Sequence, residues 1–281
     1  MSAPGLPTLL WRHWETAWTV DCLATLTALA YLTARTRVRA WPWWRTGSFL
    51  TGVAAIVVAL QSGIDAFDDR MLSDHMVQHL LLLEAAPLLL LAGRPVLLAM
   101  RAAPRAGRPV LARRVRRASR LLSPLVCLAV FYAVVLGTHV PAFYDATLRH
   151  TALHETEHGL YIVAGLIVWW PMLDGDPIVS HRLSGLGRLA YLIAAMLPMT
   201  LIGAYLYRDT TLAYAPYAIP ARSLGISAVT DQQEAGAIMW VLGSCLMIAA
   251  GLWQAMAAMT AEERRLRVSE RAAVPDPSRR P

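Results

Sequence analysis

Six of the eight histidines fall near one end of three apolar segments. His75 and His79 stand in SDHMVQHLLLLEAAP, His139 in GTHVPAFYD, and His150, His154 and His158 in RHTALHETEHGLYIVAG. Residues four apart share one face of a helix, so His75 pairs with His79, and His154 pairs with His158. Two such pairs on neighbouring helices offer up to four imidazole nitrogens, which suits copper, zinc or the axial ligation of haem. The pattern therefore predicts a metal or haem site.

Polar residues close to these histidines in sequence can orient the imidazole rings. They are Asp74, Gln78, Glu155 and Glu157. At helical rise, His79 lies roughly 12 Å inside the start of its helix, where a ring that faced lipid would be costly. We therefore expect His79 to face other helices, and we expect His150 to lie outside the membrane in contact with water.

A protease motif overlaps the second histidine pair. His154, Glu155 and His158 satisfy H-E-x-x-H, in which the glutamate would be the general base of a zinc protease. Asp174 lies in an L-D-G segment that could offer a third ligand. On one continuous helix it would stand roughly 24 Å from His158, which is too far to share an ion. The spacing argues against a protease.

The elements that carry these residues are apolar and long. The 281 residues are 56% hydrophobic and 16% charged, well below the usual charged fraction of a soluble protein. Seven apolar runs are long enough to cross a bilayer, at about 16–34, 46–64, 71–92, 121–140, 152–173, 188–207 and 232–259. We predict an all-α membrane protein with a single bundle of seven transmembrane helices in residues 1–260. Residues 261–281 are expected to form a short, charged, disordered cytoplasmic tail.

The arginines predict the orientation of this bundle. The chain has no lysine, and 20 of its 26 arginines fall on one side of the seven runs, against five on the other. The positive-inside rule then places the N-terminus outside and the C-terminus in the cytoplasm, with the histidines near the outer surface. Arginines grouped in blocks between apolar runs argue against nucleic-acid binding.

Other residues in the apolar runs are secondary candidates. Asp21 and Glu84 are ionisable groups at membrane depth, where they serve function or bond to a neighbouring helix. The thioethers of Met71, Met76, Met196 and Met199 can bind cuprous ion, although methionines at such spacing more often fill gaps in packing. The three cysteines lack the paired spacing of a disulfide framework or thiolate site.

Three sequence blocks resemble one known family. SDHMVQHLLLLEAAPLLLLAGRP, THVPAFYDATLRHTALHETEHGLYIVAGLIVWWPML and DQQEAGAIMW are similar, in order and separation, to blocks of the polytopic CtaG family of cytochrome c oxidase assembly factors. The resemblance covers residues 10–258. It implies a seven-helix protein needed to mature a haem-copper oxidase, with copper supply as the usual proposal. The chain departs from the family at Glu84 and Glu234, where apolar residues are common, and at Ala235 and Ala237, where glycine is frequent.

The residues and the resemblance together lead to one set of expectations. The metal ligands are His75, His79, His139, His154 and His158, supported by Asp74, Gln78, Asp231 and Gln232. The protein is expected to be an assembly factor without catalytic turnover, in a bacterial plasma membrane. Its cargo would be copper, and its partners would be oxidase subunits and extracellular or periplasmic copper chaperones. A copper transporter and a haem b redox protein, using the same histidines, are the alternatives.

Overall fold

The described part of the chain is helical. The structure is a computed structural model that describes residues 13–172, 180–181 and 183–273, and no strand occurs among these residues. The helices are α1 (Trp18–Thr36), α2 (Trp43–Gln61), α3 (Gly63–Phe67), α4 (Leu72–Leu80), α5 (Ala86–Ala92), α6 (Pro95–Ala102), α7 (Arg108–Leu121), α8 (Pro124–Thr138), α9 (Pro141–Thr147), α10 (Thr151–Trp169), α11 (Gly185–Arg208), α12 (Ala218–Ser223), α13 (Ala228–Ala237) and α14 (Gly243–Ala273). Two π-helical stretches, Leu81–Ala85 and Ile238–Leu242, join α4 to α5 and α13 to α14. Short 3₁₀ turns lie at Trp170–Met172 and Ala215–Tyr217.

A helix lies at each of the seven apolar runs. Four helical segments of the described chain are long and apolar enough to cross a membrane: Trp43–Phe67, Leu72–Ala102, Gly185–Arg208 and Ala228–Met256. A fifth is counted if α7 and α8, which meet at a bend of 67°, form one span. The helix α10 begins with two histidines and two glutamates in its first two turns, which lower its mean hydropathy. Seven spans, and the orientation of the ends, remain predictions.

The sides of the bundle, which would face lipid, are apolar. Along α11, Leu189, Ile193, Leu197 and Leu201 are exposed at a spacing of four residues, which draws one stripe down the helix. On a water-soluble protein an apolar stripe of this length would be an aggregation hazard, whereas in a bilayer it is the expected surface.

Two segments outside the predicted spans are helical. The arginine-rich connection between residues 101 and 120 contains α7, whose sequence RPVLARRVRRASRL puts most of its arginines in contact with solvent. The last helix continues to Ala273, so residues 261–273 of the expected disordered tail are helical, and residues 274–281 lie outside the described chain. A run of arginines and glutamates is compatible with a helix because both have high helix propensity.

The helices that carry the histidines pack closely together. α10 packs against α8, α5 and the first π-helical stretch, and α4 packs against α13. Gly165 on α10 allows the closest approach, because a methyl group there would lie 2.2 Å from the Leu83 carbonyl oxygen. The main hydrophobic core lies among these helices, around Phe131, Leu82 and Tyr161, none of which is accessible to solvent.

Candidate metal site

Five of the predicted histidines lie together at one end of the bundle. His75 and His79 are on α4, His139 is the residue that ends α8, and His154 and His158 are on α10. The ring centroids lie 4.1 Å apart for His75 and His79, 5.3 Å for His75 and His154, 4.3 Å for His154 and His158, and 6.1 Å for His79 and His139. His150 is exposed at the start of α10, as expected.

Two groups of side chains within this cluster have the spacing of metal ligands. Asp68 joins His154 and His158 in one group, and Glu157 joins His75 and His79 in the other. Within each group one ligand atom from every residue lies within 4.8 Å of the others. The Nε2 atom of His154 lies 3.5 Å from Oδ2 of Asp68. Two imidazoles with one carboxylate form a donor set that suits copper or zinc.

In each of three histidines, one ring nitrogen is hydrogen-bonded and the other keeps a lone pair that can bind a metal. Nδ1 of His139 lies 2.7 Å from the Val135 carbonyl oxygen, which can only accept, so Nδ1 carries the proton. Nδ1 of His75 lies 3.2 Å from the Tyr217 hydroxyl, whose own proton is donated to the Asp68 carbonyl, so this ring also donates from Nδ1. The Nε2 atoms of both rings therefore keep a lone pair, and neither has a hydrogen-bond partner among the described residues.

Gln78 orients the third of these rings. Its amide nitrogen donates to the Asp65 carboxylate at 2.7 Å and to the Ala59 carbonyl at 2.9 Å. Its amide oxygen therefore faces Nε2 of His158, 3.1 Å away, and accepts a hydrogen bond from it. This leaves Nδ1 of His158 with the lone pair, which is the usual arrangement for a histidine that binds a metal.

His79 and Asp74 are buried with unused hydrogen-bonding capacity. Four buried atoms have no hydrogen-bond partner within the described chain. They are both ring nitrogens of His79, Nε2 of His75 and Oδ2 of Asp74. Buried polar atoms are nearly always satisfied, and the unsatisfied nitrogens of His75 and His79 lie on rings 4.1 Å apart, so their concentration indicates a ligand. The residues present thus fit a metal ion on their own chemistry.

Asp231 and Gln232, expected to support the histidines, make hydrogen bonds to the start of α4 and to the connection after α11. Asp231 accepts hydrogen bonds from the backbone N–H groups of Leu72 at 2.7 Å and Ser73 at 3.2 Å, and so caps the start of α4. Gln232 accepts from the N–H of Ala213 and donates to the carbonyl of Thr211. A carboxylate at a helix N-terminus satisfies unpaired donors and complements the helix dipole. These two residues hold the helix and loop that carry the site.

Acidic and phenolic groups outside the spans complete the surroundings. Burial, and then the nearby charges of Asp65 and Asp69, raise the pKa of Asp68 to about 8. Burial likewise raises the pKa of Tyr144 and Tyr217 well above its ordinary value, so both phenols remain neutral hydrogen-bonding groups. The crowding of carboxyl groups around Asp68 favours the arrival of a cation.

The protease motif does not assemble as a zinc protease would require. Glu155, its would-be general base, is exposed, whereas Asp68 and Glu157 lie with the histidines. Asp174 lies outside the described residues. The H-E-x-x-H spacing here instead places two histidines on one helix face.

Sequence reasoning missed Asp68 as a member of the cluster, and it missed the tyrosines that surround it. Asp68 precedes α4 in a short turn, and nothing in its spacing relates it to His154, 86 positions away. Tyr144 lies in α9, Tyr214 and Tyr217 lie in the connection between α11 and α12, and all three are buried near the rings. The tyrosine-rich stretch AYAPYAIP is the feature of the sequence that could have indicated Tyr214 and Tyr217.

A family model matches most of the chain. The model described as the cytochrome c oxidase caa3 assembly factor (Caa3_CtaG) covers residues 26–261, which include every residue of the two ligand groups. No solved structure gives a significant match to the chain.

Curated relatives come from mycobacteria. Uncharacterized proteins of Mycobacterium bovis and Mycobacterium tuberculosis are each 30% identical over 235 residues, which is 76% of this chain and 34% of the relative. An uncharacterized protein of Mycobacterium leprae is 28% identical over 243 residues, which is 80% of this chain and 37% of the relative. The chain thus spans about a third of the length of these relatives.

Proposed function

The chain belongs to the CtaG family of cytochrome c oxidase caa3 assembly factors, and from that premise we propose that its histidine cluster binds copper in passage to a haem-copper oxidase. The protein would hold the ion and release it to oxidase subunits without any turnover chemistry of its own. Copper is the cargo in this proposal, not a resident cofactor.

The observation that carries the proposal is the set of unused imidazole nitrogens. His75 and His139 are each hydrogen-bonded at Nδ1 and open at Nε2, and His79 has no hydrogen bond at either nitrogen within the described chain. Imidazoles suit copper, and Asp68 and Glu157 supply carboxyl groups that lose their protons when a cation binds beside them. Ligands on three different helices allow the ion to be exchanged when the helices shift, which suits delivery better than permanent storage.

The two alternatives receive less support from the geometry. A haem b protein needs room for a porphyrin between two axial histidines, whereas the cavity beside His79 and His139 measures about 10 Å³, roughly the space of one water molecule. A copper transporter needs a polar path to the opposite surface. Inward of the cluster, the carboxyl of the buried Glu84 lies beside Gly243 with the apolar side chains of Leu80 and Met199.

The proposed setting follows from the family and from the apolar surface. The long apolar helices and the mycobacterial relatives support a bacterial plasma membrane as the setting. Because the cluster lies at the end of the bundle that the arginines assign to the outside, the donor would be an extracellular or periplasmic copper chaperone. The acceptor would be a copper-containing oxidase subunit.

Single-histidine variants test the proposal. We expect His79→Ala and His158→Ala to fold and insert but to lose at least about tenfold in copper affinity, because each removes a ligand from a different group. Affinity is measured on purified protein by competition with a copper chelator, and oxidase activity is measured in cells grown at limiting copper. Excess copper in the medium should restore that activity if delivery is the defect.

His150→Ala is the matched control, since this ring is exposed at the start of α10 and belongs to neither group. It should bind copper like the unaltered protein. Equal copper affinity in all three variants would overturn the site, and a haem spectrum lost on mutation would favour the redox alternative.

A further inference from the structure

A small cavity lies on the inner side of the histidine cluster, and none of the described residues that line it is acidic. It measures about 10 Å³, and its lining includes three methionines, Met76, Met199 and Met239. They come from α4, α11 and the second π-helical stretch, and each is at most 4% exposed. His79 and His139 close its outer end.

Irregular helix geometry brings these methionines to one place. Met239 lies in the π-helical stretch Ile238–Leu242, and Leu83, also in the lining, lies in the stretch Leu81–Ala85. Met199 follows Pro198, which cannot donate a hydrogen bond to the Ala194 carbonyl one turn earlier. The Tyr132 hydroxyl donates to that carbonyl at 2.7 Å and so stabilises the local break. π-helical turns cost stability in an ordinary helix and occur frequently at functional sites.

The residues that line the cavity carry neutral donor atoms, namely imidazole nitrogen and thioether sulfur. Both nitrogens of His79 and the Nε2 atom of His139, two residues that line the cavity, have no hydrogen-bond partner within the described residues. The sulfur atoms are neutral and soft. Among the described residues that line the cavity there is no carboxylate. Thioethers and imidazoles are neutral, comparatively soft donors, which match a soft monovalent ion better than a hard divalent one.

We propose that this cavity is a second metal site, which takes cuprous ion through the thioethers of Met76, Met199 and Met239 and the imidazoles of His79 and His139. His79 borders both this cavity and the group with His75 and Glu157. An ion can therefore pass between the carboxylate-containing group and the sulfur site by exchanging ligands around one ring. The inference rests on the proposed function only for the identity of the cargo.

The alternative role for the three methionines is packing alone. Leucine has nearly the same volume as methionine and lacks the sulfur, so Met→Leu substitutions largely preserve packing while they remove the donors. The test variant is Met76→Leu/Met199→Leu/Met239→Leu. The control is Met172→Leu/Met247→Leu, since these two methionines are equally buried and line a different cavity.

Silver(I) and cuprous ion are the probes, with zinc as the comparison ion, all on purified full-length protein. We expect the triple variant to bind one silver(I) ion fewer and to lose at least about tenfold in cuprous affinity, with zinc binding unchanged. The control variant should bind all three ions normally. X-ray absorption of the unaltered protein with one equivalent of cuprous ion should show sulfur in the coordination shell.

Undiminished silver(I) binding by the triple variant, or a coordination shell without sulfur, would overturn the sulfur site. A different variant tests the proposed function. Unchanged copper affinity in His158→Ala, whose ring does not line the cavity, would contradict it. The two ideas can therefore fail separately.

Discussion

At the scale of single residues, hydrogen bonds prepare the histidines for one ligand geometry. His139 and His75 donate from Nδ1 to a carbonyl and a phenol, and His158 donates from Nε2 to Gln78. An imidazole held in this way has a defined tautomer and a defined direction for its free lone pair. The rings therefore need little rearrangement when an ion arrives.

Gln78→Leu should weaken copper binding although leucine removes no ligand. The amide that orients His158 and satisfies Asp65 is lost, and such supporting contacts are typically worth about 10–100-fold in metal affinity. Chelator competition measures the effect. Glu155→Gln on the exposed face of α10 is the control, with unchanged affinity expected. A Gln78→Leu protein with full affinity would show that His158 does not depend on this amide.

Glu84 is a residue whose burial has no compensation in the described structure. Both carboxyl oxygens lack a hydrogen-bond partner among the described residues, and the side chain is 1% exposed. Removing an unsatisfied buried polar group relieves about 1–3 kcal/mol, so Glu84→Met should raise the free energy of unfolding by that order. The unbranched methionine follows the shape of the side chain it replaces.

The measurement is the unfolding temperature of detergent-solubilised protein, with the exposed Glu234→Met as control. An unfolding temperature that falls in Glu84→Met would mean that the carboxyl contributes to stability. Oxidase activity in cells that carry Glu84→Met shows whether the Glu84 carboxyl has a function that explains its unfavourable burial.

At the scale of helices, glycines at helix–helix contacts let the backbones approach closely and so set the positions of the histidines. Gly203 on α11 and Gly236 on α13 face each other, and a methyl group on either would lie within 2.7 Å of the other's carbonyl oxygen. Gly165 brings α10 against the π-helical stretch and Pro87 in the same way. Small residues are how membrane helices approach closely enough to pack. The approach at Gly165 thus sets how closely α10 packs against the stretch that continues α4.

Gly165→Ala should therefore destabilise the protein and weaken metal binding together. The added methyl group would lie 2.2 Å from the Leu83 carbonyl oxygen and 2.6 Å from Cγ of Pro87, so α10 must move away from the π-helical stretch Leu81–Ala85 and from α5. Overpacking of this kind costs about 1–3 kcal/mol or more. The loss is measured as a lower unfolding temperature and a weaker copper affinity.

Gly159→Ala is the matched control on the same helix, because nothing lies within 4 Å of the added methyl group. Alanine has the higher helix propensity, so this variant should be up to about 1 kcal/mol more stable. Equal effects of the two substitutions would show that helix packing at Gly165 does not position the site.

At the scale of the whole molecule, the apolar surface and the distribution of arginines predict how the protein sits in the membrane. The exposed leucines of α11 favour lipid contact, and the basic helix α7 lies beside the bend that leads into α8. Arginines on the cytoplasmic side of a bilayer oppose translocation of the segments that carry them. The histidine cluster then lies at the opposite, outer end.

Reporter fusions test this orientation. A reporter active only outside the cell should be silent when joined after Arg120 or after Thr260 and active when joined after Asp68 or Tyr144, because 20 arginines favour the inner side against five. A reporter active only in the cytoplasm should give the reverse pattern. An external signal after Arg120 would invert the predicted topology and place the cluster at the cytoplasmic face.

The features that depend on local chemistry could be predicted from the amino-acid sequence alone. Apolar runs, the spacing of two histidines by four residues and the proline before Met199 act within one or two helical turns, so helices and shared faces follow from them. The clustering of histidines at one end of several runs follows from the same counting. The family was recognisable because its blocks are contiguous in the chain.

The choice of ligand atoms and of the residues that support them depends on how the helices pack together. Gln78 meets His158 across 80 positions, and Asp231 caps the start of α4 across 159 positions. Asp68 joins the histidines, and Asp231 and Gln232 bind backbone groups, because α4 packs against α13 and α10 packs against the π-helical stretch that follows α4. The π-helical stretches and the methionine cavity likewise arise from contacts between helices. Spacing along the chain describes one helix at a time, whereas a binding site depends on atoms brought together from several.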